Sequence, residues 1–352
     1  MTQSPFSSEP YFQQLLSKAV AAKASDIHLK VGQPPGARVR GDMVYFRMDR
    51  VTPADTAAAA RVIIRNQEVL AAFDDLTEYD TSYSVPSLGR FRVNIFRQRG
   101  TIGIVLRAIP AKIPTFEDLG CPKACLDLAE KERGMILLVG AAGNGKSSTL
   151  AAMLGHMNRN KAYHIVTIED PIEFLHTDDK SSVSQREVGL DTPSFAKALR
   201  AALRQDPDVI LVGEIRDEET MDIALKAAET GHLVLSTLHT PDVTRTVNRM
   251  LSLGPPGSTE LRDRIGDALQ GIVAQRLLPR KDGQGLVLAA EVLVVTGTAR
   301  ETLKNPQGNP PLKDIMEKGV SPYGMQTFEM HMKELVRQGQ LDREYIKNAG
   351  VF

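Results

Sequence analysis

Residues Gly140-Ala141-Ala142-Gly143-Asn144-Gly145-Lys146-Ser147 fit the phosphate-loop pattern G-x-x-x-x-G-K-[ST]. The spacing has a physical reason. Glycines let the backbone curl until several N–H groups point at one polyphosphate, and the helix that follows adds the positive end of its dipole. Lys146 is expected to reach the β- and γ-phosphates, and Ser147 to offer a hydroxyl to Mg²⁺. Gly140, Gly143, Asn144, Gly145, Lys146, Ser147 and Ser148 are the expected nucleotide contacts. The apolar run Met135 to Val139 precedes the loop, and Ser148 to Leu154 reads as the helix after it.

Three more apolar runs end in groups suited to the same ligand. Asp206-Pro207-Asp208, then Val209 to Val212 and Gly213-Glu214, fits a Walker B strand tipped by a carboxylate. Glu214 there can hold Mg²⁺ through its water shell. Ile165 to Ile168 runs into Glu169-Asp170-Pro171-Ile172-Glu173. A carboxylate at Glu169 can orient or deprotonate an attacking water; the same acids would equally make a charged turn. Leu233 to Leu238 lies between His232 and His239. Alternation along a strand sends these two histidines to opposite faces unless the ends bend. His239, at the carboxyl end, can reach a γ-phosphate, whereas His232 reads as a packing or interface residue.

Phosphoryl transfer also gains from an arginine that meets the developing charge, often from a neighbouring subunit. Arg92 and Arg107 in the first section, and Arg200 and Arg204 before Asp206, are candidates. Each reads equally well as a salt-bridged surface residue.

Four strands in order, each ending in a phosphate-handling group, imply a parallel sheet whose carboxyl edge is a nucleotide site. Lys146, Glu169, Glu214 and His239 must then gather around one triphosphate. Ahead of them lies a small α+β section. Helices are expected near 10–24 and 53–72, with strands near 24–31, 38–42, 89–96 and 102–107. Ile109-Pro110-Ala111-Lys112-Ile113-Pro114 is a proline-bracketed linker and a candidate hinge. From about Thr298 the pattern turns helical and polar.

At 352 residues with zero formal net charge, the chain has room for two domains and no global field toward nucleic acid. Its N-terminus lacks the order of a signal peptide, and no apolar run approaches a bilayer span, so a cytosolic protein is expected. Cys121 and Cys125 are the only cysteines; four apart, they read as reduced thiols in a helical segment.

Taken together, these stretches resemble the secretion and type IV pilus ATPases over nearly the whole chain. Thr167 to Glu173 is similar to that family's Asp box, Arg204 to Asp217 to its Walker B element, and Thr230 to Thr240 to its His box. Within the family, Ala24 to Leu29, Gly89 to Asn94, Gln185 to Gly189 and Gly324 to Phe328 resemble the pilus retraction branch, PilT and PilU. The resemblance implies an α/β protein: a PAS-like N-terminal domain (1–108), a linker (109–118), a RecA-like P-loop ATPase core (119–296) and a C-terminal helical region (297–352). It implies a homo-hexameric ring using ATP and Mg²⁺, with Glu169, Glu214 and His239 catalytic, Ser147 and Glu214 on the metal, and Arg92, Arg107 and, more weakly, Arg204 meeting the nucleotide. It implies a motor for pilus retraction and twitching motility, peripheral at the inner membrane. An inner-membrane platform protein is the expected partner, beside a possible paralogous ATPase and without nucleic acid.

Two features keep alternatives open. The retraction branch carries Ala-Ile-Arg-Asn-Leu-Ile where this chain has Gly297-Thr298-Ala299-Arg300-Glu301-Thr302-Leu303, which favours an accessory, PilU-like or divergent role; a regulatory nucleotide-binding subunit is a separate alternative, against which Glu169, Glu214 and His239 argue. Assembly and type II secretion ATPases usually carry a four-cysteine zinc element after the His box. This chain has no cysteine beyond Cys125.

Overall fold

A computed structural model describes residues 4–86, 88–109 and 112–347. The chain forms two compact units, Met1–Lys112 with Glu173–Leu175, and Ile113–Ile172 with His176–Phe352. Pro110 and Ala111 of the expected linker lie outside the described residues. Residues Phe116–Leu119, at the linker's end, are already helical, started by a capping box between Thr115 and Asp118.

The first unit is a six-stranded sheet of β1 (Ala24–Lys30), β2 (Gly36–Val39), β3 (Asp42–Tyr45), β4 (Glu78–Val85), β5 (Gly89–Gln98) and β6 (Thr101–Ala108), in the order β3-β2-β1-β6-β5-β4. All its pairs are antiparallel. Alternation puts Ile27 and Leu29 of β1, Val93 and Ile95 of β5, and Ile104 and Leu106 of β6 in one core. Helices Glu9–Ala21 and Pro53–Ile63 close that core with Phe12, Leu16, Ala59, Ala60 and Ile63. The β2–β3 hairpin turns at Arg40-Gly41, both at positive φ, as a two-residue turn matching strand twist requires. The alanine-rich stretch expected as one helix over 53–72 is two. The first ends at Ile63 with Ile64 extended as its C-cap, and Asn66 starts Gln67–Ala71, its side chain accepting from the N–H groups of Glu68 and Val69.

The second unit holds β7 (Gly134–Val139), β8 (His164–Glu169), β9 (Ser182–Glu187), β10 (Val209–Val212), β11 (Leu233–Leu238), β12 (Leu269–Pro279) and β13 (Leu286–Val294) in one sheet. Its order is β13-β12-β7-β11-β10-β8-β9, parallel throughout except the β12–β13 hairpin. Every residue of β7, β10 and β11 is buried, because parallel sheets are covered on both faces. Met135, Leu137 and Val139 enter one core and Ile136 and Leu138 the other. Helix Lys146–Asn160 covers the second of these faces through Leu150, Met153, Leu154 and Met157. Each fully buried aliphatic side chain is worth about 1.5–3 kcal/mol, so the sheet is a stiff platform for the loops at its edge. Helices Gly297–Lys304, Leu312–Lys318 and Phe328–Arg337 insert Ala299, Leu303, Ile315, Met316, Phe328, Met332 and Leu335 into the same core as Leu137 and Val139. The three helices between 297 and 337 thus pack as part of this unit. The fold is the expected mixed α/β architecture, and among the described residues no helix is long and apolar enough to cross a membrane.

Candidate functional site

Sheet order decides which loop tips meet. In the parallel ladders Val139 lies opposite Leu238, Val212 opposite Ser236, and Val212 also opposite Ile168. The carboxyl ends of β7, β11, β10 and β8 therefore stand side by side. The residues that follow are Gly140, His239, Gly213-Glu214 and, closing β8, Glu169.

The loop after β7 is built to curl. Gly140 has φ 144°, and a side chain there would put its Cβ 2.5 Å from the Gln275 carbonyl oxygen of β12. Gly145, at φ 79°, is the N-cap of helix Lys146–Asn160. Lys146 is buried, and its Nζ donates to the carbonyl oxygens of Gly140 (2.8 Å) and Ala141 (3.0 Å), tying the loop to the helix start. Burial lowers its pKa below the usual lysine value, and the negative charge of Glu214 acts in the opposite sense. Ser147 is exposed and Ser148 half-buried at the same helix end. Asn144 is tied to the neighbouring strand. Its Oδ1 accepts from the Leu277 N–H of β12 at 3.1 Å, so it braces the loop. Beneath, Gln275 Nε2 donates to Thr149 Oγ1 at 2.7 Å.

Glu214 is the electrostatic centre. Arg216 Nη2 donates to its Oε1 at 2.5 Å, and His239 Nε2 lies 3.4 Å from its Oε2. Burial works to raise its pKa, but Arg216 and His239 outweigh that and hold it below the usual carboxylate value. Arg216 also approaches Asp170, with Nη1 3.7 Å from Oδ2. Glu169 is buried beside Asp170. Thr167 Oγ1 donates to its Oε1 at 2.6 Å and Gln185 Nε2 donates to the same oxygen at 3.2 Å. Gly213 fits against Glu169 because its N–H donates to Ile168 O at 2.8 Å, and a Cβ at Gly213 would come 3.4 Å from Glu169 Cα.

Lys146, Glu214, His239 and Glu169 therefore come together at one sheet edge. His232 sits at the other end of β11, where its Nδ1 lies 2.9 Å from Ala227 O of the preceding helix, a packing role. Arg204 precedes β10 at the amino edge and donates to Arg200 O at 2.9 Å, so within its own chain it is not at the site. Arg92 and Arg107 belong to the first unit. Arg107 Nε lies 2.9 Å from Asp26 Oδ1, and Arg92 Nη1 lies 3.6 Å from Glu173 Oε1. Cys121 and Cys125 are free thiols, and Cys121 lies 3.9 Å from Thr149 Oγ1.

Sequence reasoning passed over Thr167, Gln185 and Arg216. Thr167 was detectable, being two residues before Glu169 on a strand and so on its face. Gln185 was not, because only the β8–β9 pairing brings it there. As a metal site, Ser147 and Glu214 offer hard oxygen donors. That suits Mg²⁺, which typically takes one or two protein oxygens and completes its shell with phosphates and water.

The family model for "Type II/IV secretion system protein" matches residues 3–349. The chain is 42% identical over 334 residues to the type IV pilus retraction ATPase PilT of Pseudomonas aeruginosa, covering 94% of this chain and 95% of that one. It is 39% identical over 340 residues to the type IV pilus ATPase PilU of the same organism, covering 95% and 87%. A crystal structure of the pilus retraction motor PilT with bound ADP superposes with a TM-score of 0.87 at 41% identity, covering 96% of each chain.

Proposed function

The chain belongs to the type II/IV secretion system protein family, and on that footing we propose that it is an ATP-hydrolysing motor of type IV pilus retraction. The observation that supports this reading is the row of Lys146, His239, Glu214 and Glu169 at neighbouring ends of one parallel sheet.

The chemistry follows from the residues. Amides of the Gly140–Ser147 loop and Lys146 bind the phosphates. Ser147 and Glu214 would hold Mg²⁺, which neutralises charge on those phosphates when bound. Glu169, oriented by neutral donors, takes the proton of the attacking water. His239, against Glu214, senses the γ-phosphate and passes its loss to the metal-holding carboxylate. Arg92 and Arg107 of a neighbouring copy supply positive charge as hydrolysis proceeds. The copies form a homo-hexameric ring, cytoplasmic and peripheral at the inner membrane, and hydrolysis moves each first unit against its neighbour about the Ile109–Pro114 hinge. The force acts on an inner-membrane platform protein at the pilus base.

Lys146→Ala tests the site. Phosphate release should fall at least about 100-fold, with the melting temperature retained. Hydrolysis at the wild-type rate would refute the assignment.

Gly297–Leu303 favours a second reading, an accessory subunit acting beside a paralogue. These residues start helix Gly297–Lys304, which buries Ala299 and Leu303 and ties Arg300 Nε to Gly266 O at 3.1 Å. Deleting the gene separates the readings. Excess surface pili indicate retraction and bald cells assembly, while unchanged piliation indicates an accessory role.

A further inference from the structure

Gln185 stands on the edge strand β9, directly opposite Thr167 of β8. Facing residues in a ladder project to the same side, as does the residue two positions along. Thr167, Gln185 and Glu169 therefore share one face of the sheet. On that face the Thr167 hydroxyl and the Gln185 amide both donate to Glu169 Oε1, at 2.6 and 3.2 Å. Gln185 is anchored at its other end as well, its Oε1 accepting the His176 N–H at 2.8 Å. An amide fixed at both ends cannot flip without losing two hydrogen bonds. Glu187, the ladder partner of Glu169, is engaged elsewhere, its Oε2 accepting the Ile172 N–H at 3.1 Å.

A general base must present a carboxylate oxygen along the line of the proton it takes. Two donors converging on one oxygen fix the rotation of the carboxylate plane. Misplacing a reacting group by about 1 Å can cost on the order of 100-fold in rate.

We propose that Gln185 is a positioning residue for hydrolysis: with Thr167 it sets the carboxylate of Glu169 in the orientation that accepts the water proton. The inference rests on the ATPase reading above. In the step concerned the water oxygen bonds to the γ-phosphorus and its proton passes to Glu169. The bridging P–O bond then breaks, with its electron pair leaving on ADP. Gln185 touches none of the reacting atoms and acts through Glu169.

Steady-state hydrolysis by the full-length protein tests this. Gln185→Met keeps the length and removes the amide. Its kcat should fall about 10- to 100-fold, while KM for MgATP and the affinity for a fluorescent ADP analogue stay within about twofold of wild type. In a Glu169→Gln background the same substitution should remove nothing further from the residual rate. A wild-type kcat for Gln185→Met, or an undiminished extra loss in the Glu169→Gln background, overturns the proposal. Thr167 supplies an independent check should Gln185→Met fail to fold. Thr167→Ser should keep the rate and Thr167→Val lose it, and equal rates for the two overturn the proposal. Absence of ATP hydrolysis by the wild-type protein would instead sink the underlying ATPase reading, and full hydrolysis by Glu169→Gln would remove Glu169 as the base; both failures are visible before any Gln185 variant is made.

Discussion

Arg92 and Arg107 lie directly opposite one another across the β5–β6 ladder. Like charges in facing positions destabilise a sheet, and both side chains are exposed. Asp26 compensates Arg107 at 2.9 Å. Glu173 lies 3.6 Å from Arg92, so each arginine has one carboxylate partner, and we propose that this exposed pair acts toward the phosphates of a neighbouring copy. Arg107→Ala should lower the stability of the first unit, because it leaves the buried Asp26 carboxylate without its cation, and lower ATP hydrolysis by about 10³-fold or more. Mixing it with an inactive Lys146→Ala protein should recover activity, because some interfaces then combine a working arginine with a working loop. No recovery in a phosphate-release assay would exclude action between subunits.

Gly140 and Gly143 both have positive φ, yet only Gly140 is also sterically closed. An alanine at Gly143 meets open space and should cost only backbone strain, about 1–2 kcal/mol. At Gly140 the added Cβ runs into the Gln275 carbonyl, a backbone atom that cannot swing aside. Gly140→Ala should therefore abolish binding of a fluorescent ADP analogue, with Gly143→Ala retaining it more closely.

His176 carries a pH effect on stability. Burial, with a smaller contribution from the charge of Arg159, pushes its pKa down to about 4, and its Nδ1 has no partner. Between the usual histidine value of 6.5 and about 4 the unfolded chain therefore binds a proton that the folded chain refuses. Stability is then lost as pH falls through that window, at up to about 1.4 kcal/mol per unit and roughly 3 kcal/mol in all. His176→Gln should flatten this dependence. Urea unfolding from pH 7.5 to 4.5 measures it, and an unchanged slope would contradict the assignment.

In the first unit, Asp55 closes the capping box with Thr52 and also accepts from Ser4 Oγ at 2.6 Å. Asp55→Ala should cost about 1–2 kcal/mol without changing ATP binding, as read from urea unfolding and nucleotide titration on the same sample.

The sequence by itself determined the strands whose chemistry is local. β7, β8, β10 and β11 are short, apolar and buried on both faces, so each reads as a continuous run, and the group at each tip follows from its position in the chain. The phosphate loop is legible for the same reason, since eight contiguous residues carry its geometry. Tertiary structure decided everything that depends on which strands pair. β12 mixes polar and apolar residues, but its place beside β7 puts Gln275 and Leu277 under the loop and turns Asn144 into a brace. β9 is a polar edge strand whose position beside β8 delivers Gln185 to Glu169. The amino-edge position of Arg204 likewise follows from strand direction. Periodicity along a chain reports burial of each segment against an average environment. It carries no information about the neighbour across a ladder, and in this protein that neighbour fixes how the carboxylate of Glu169 is held.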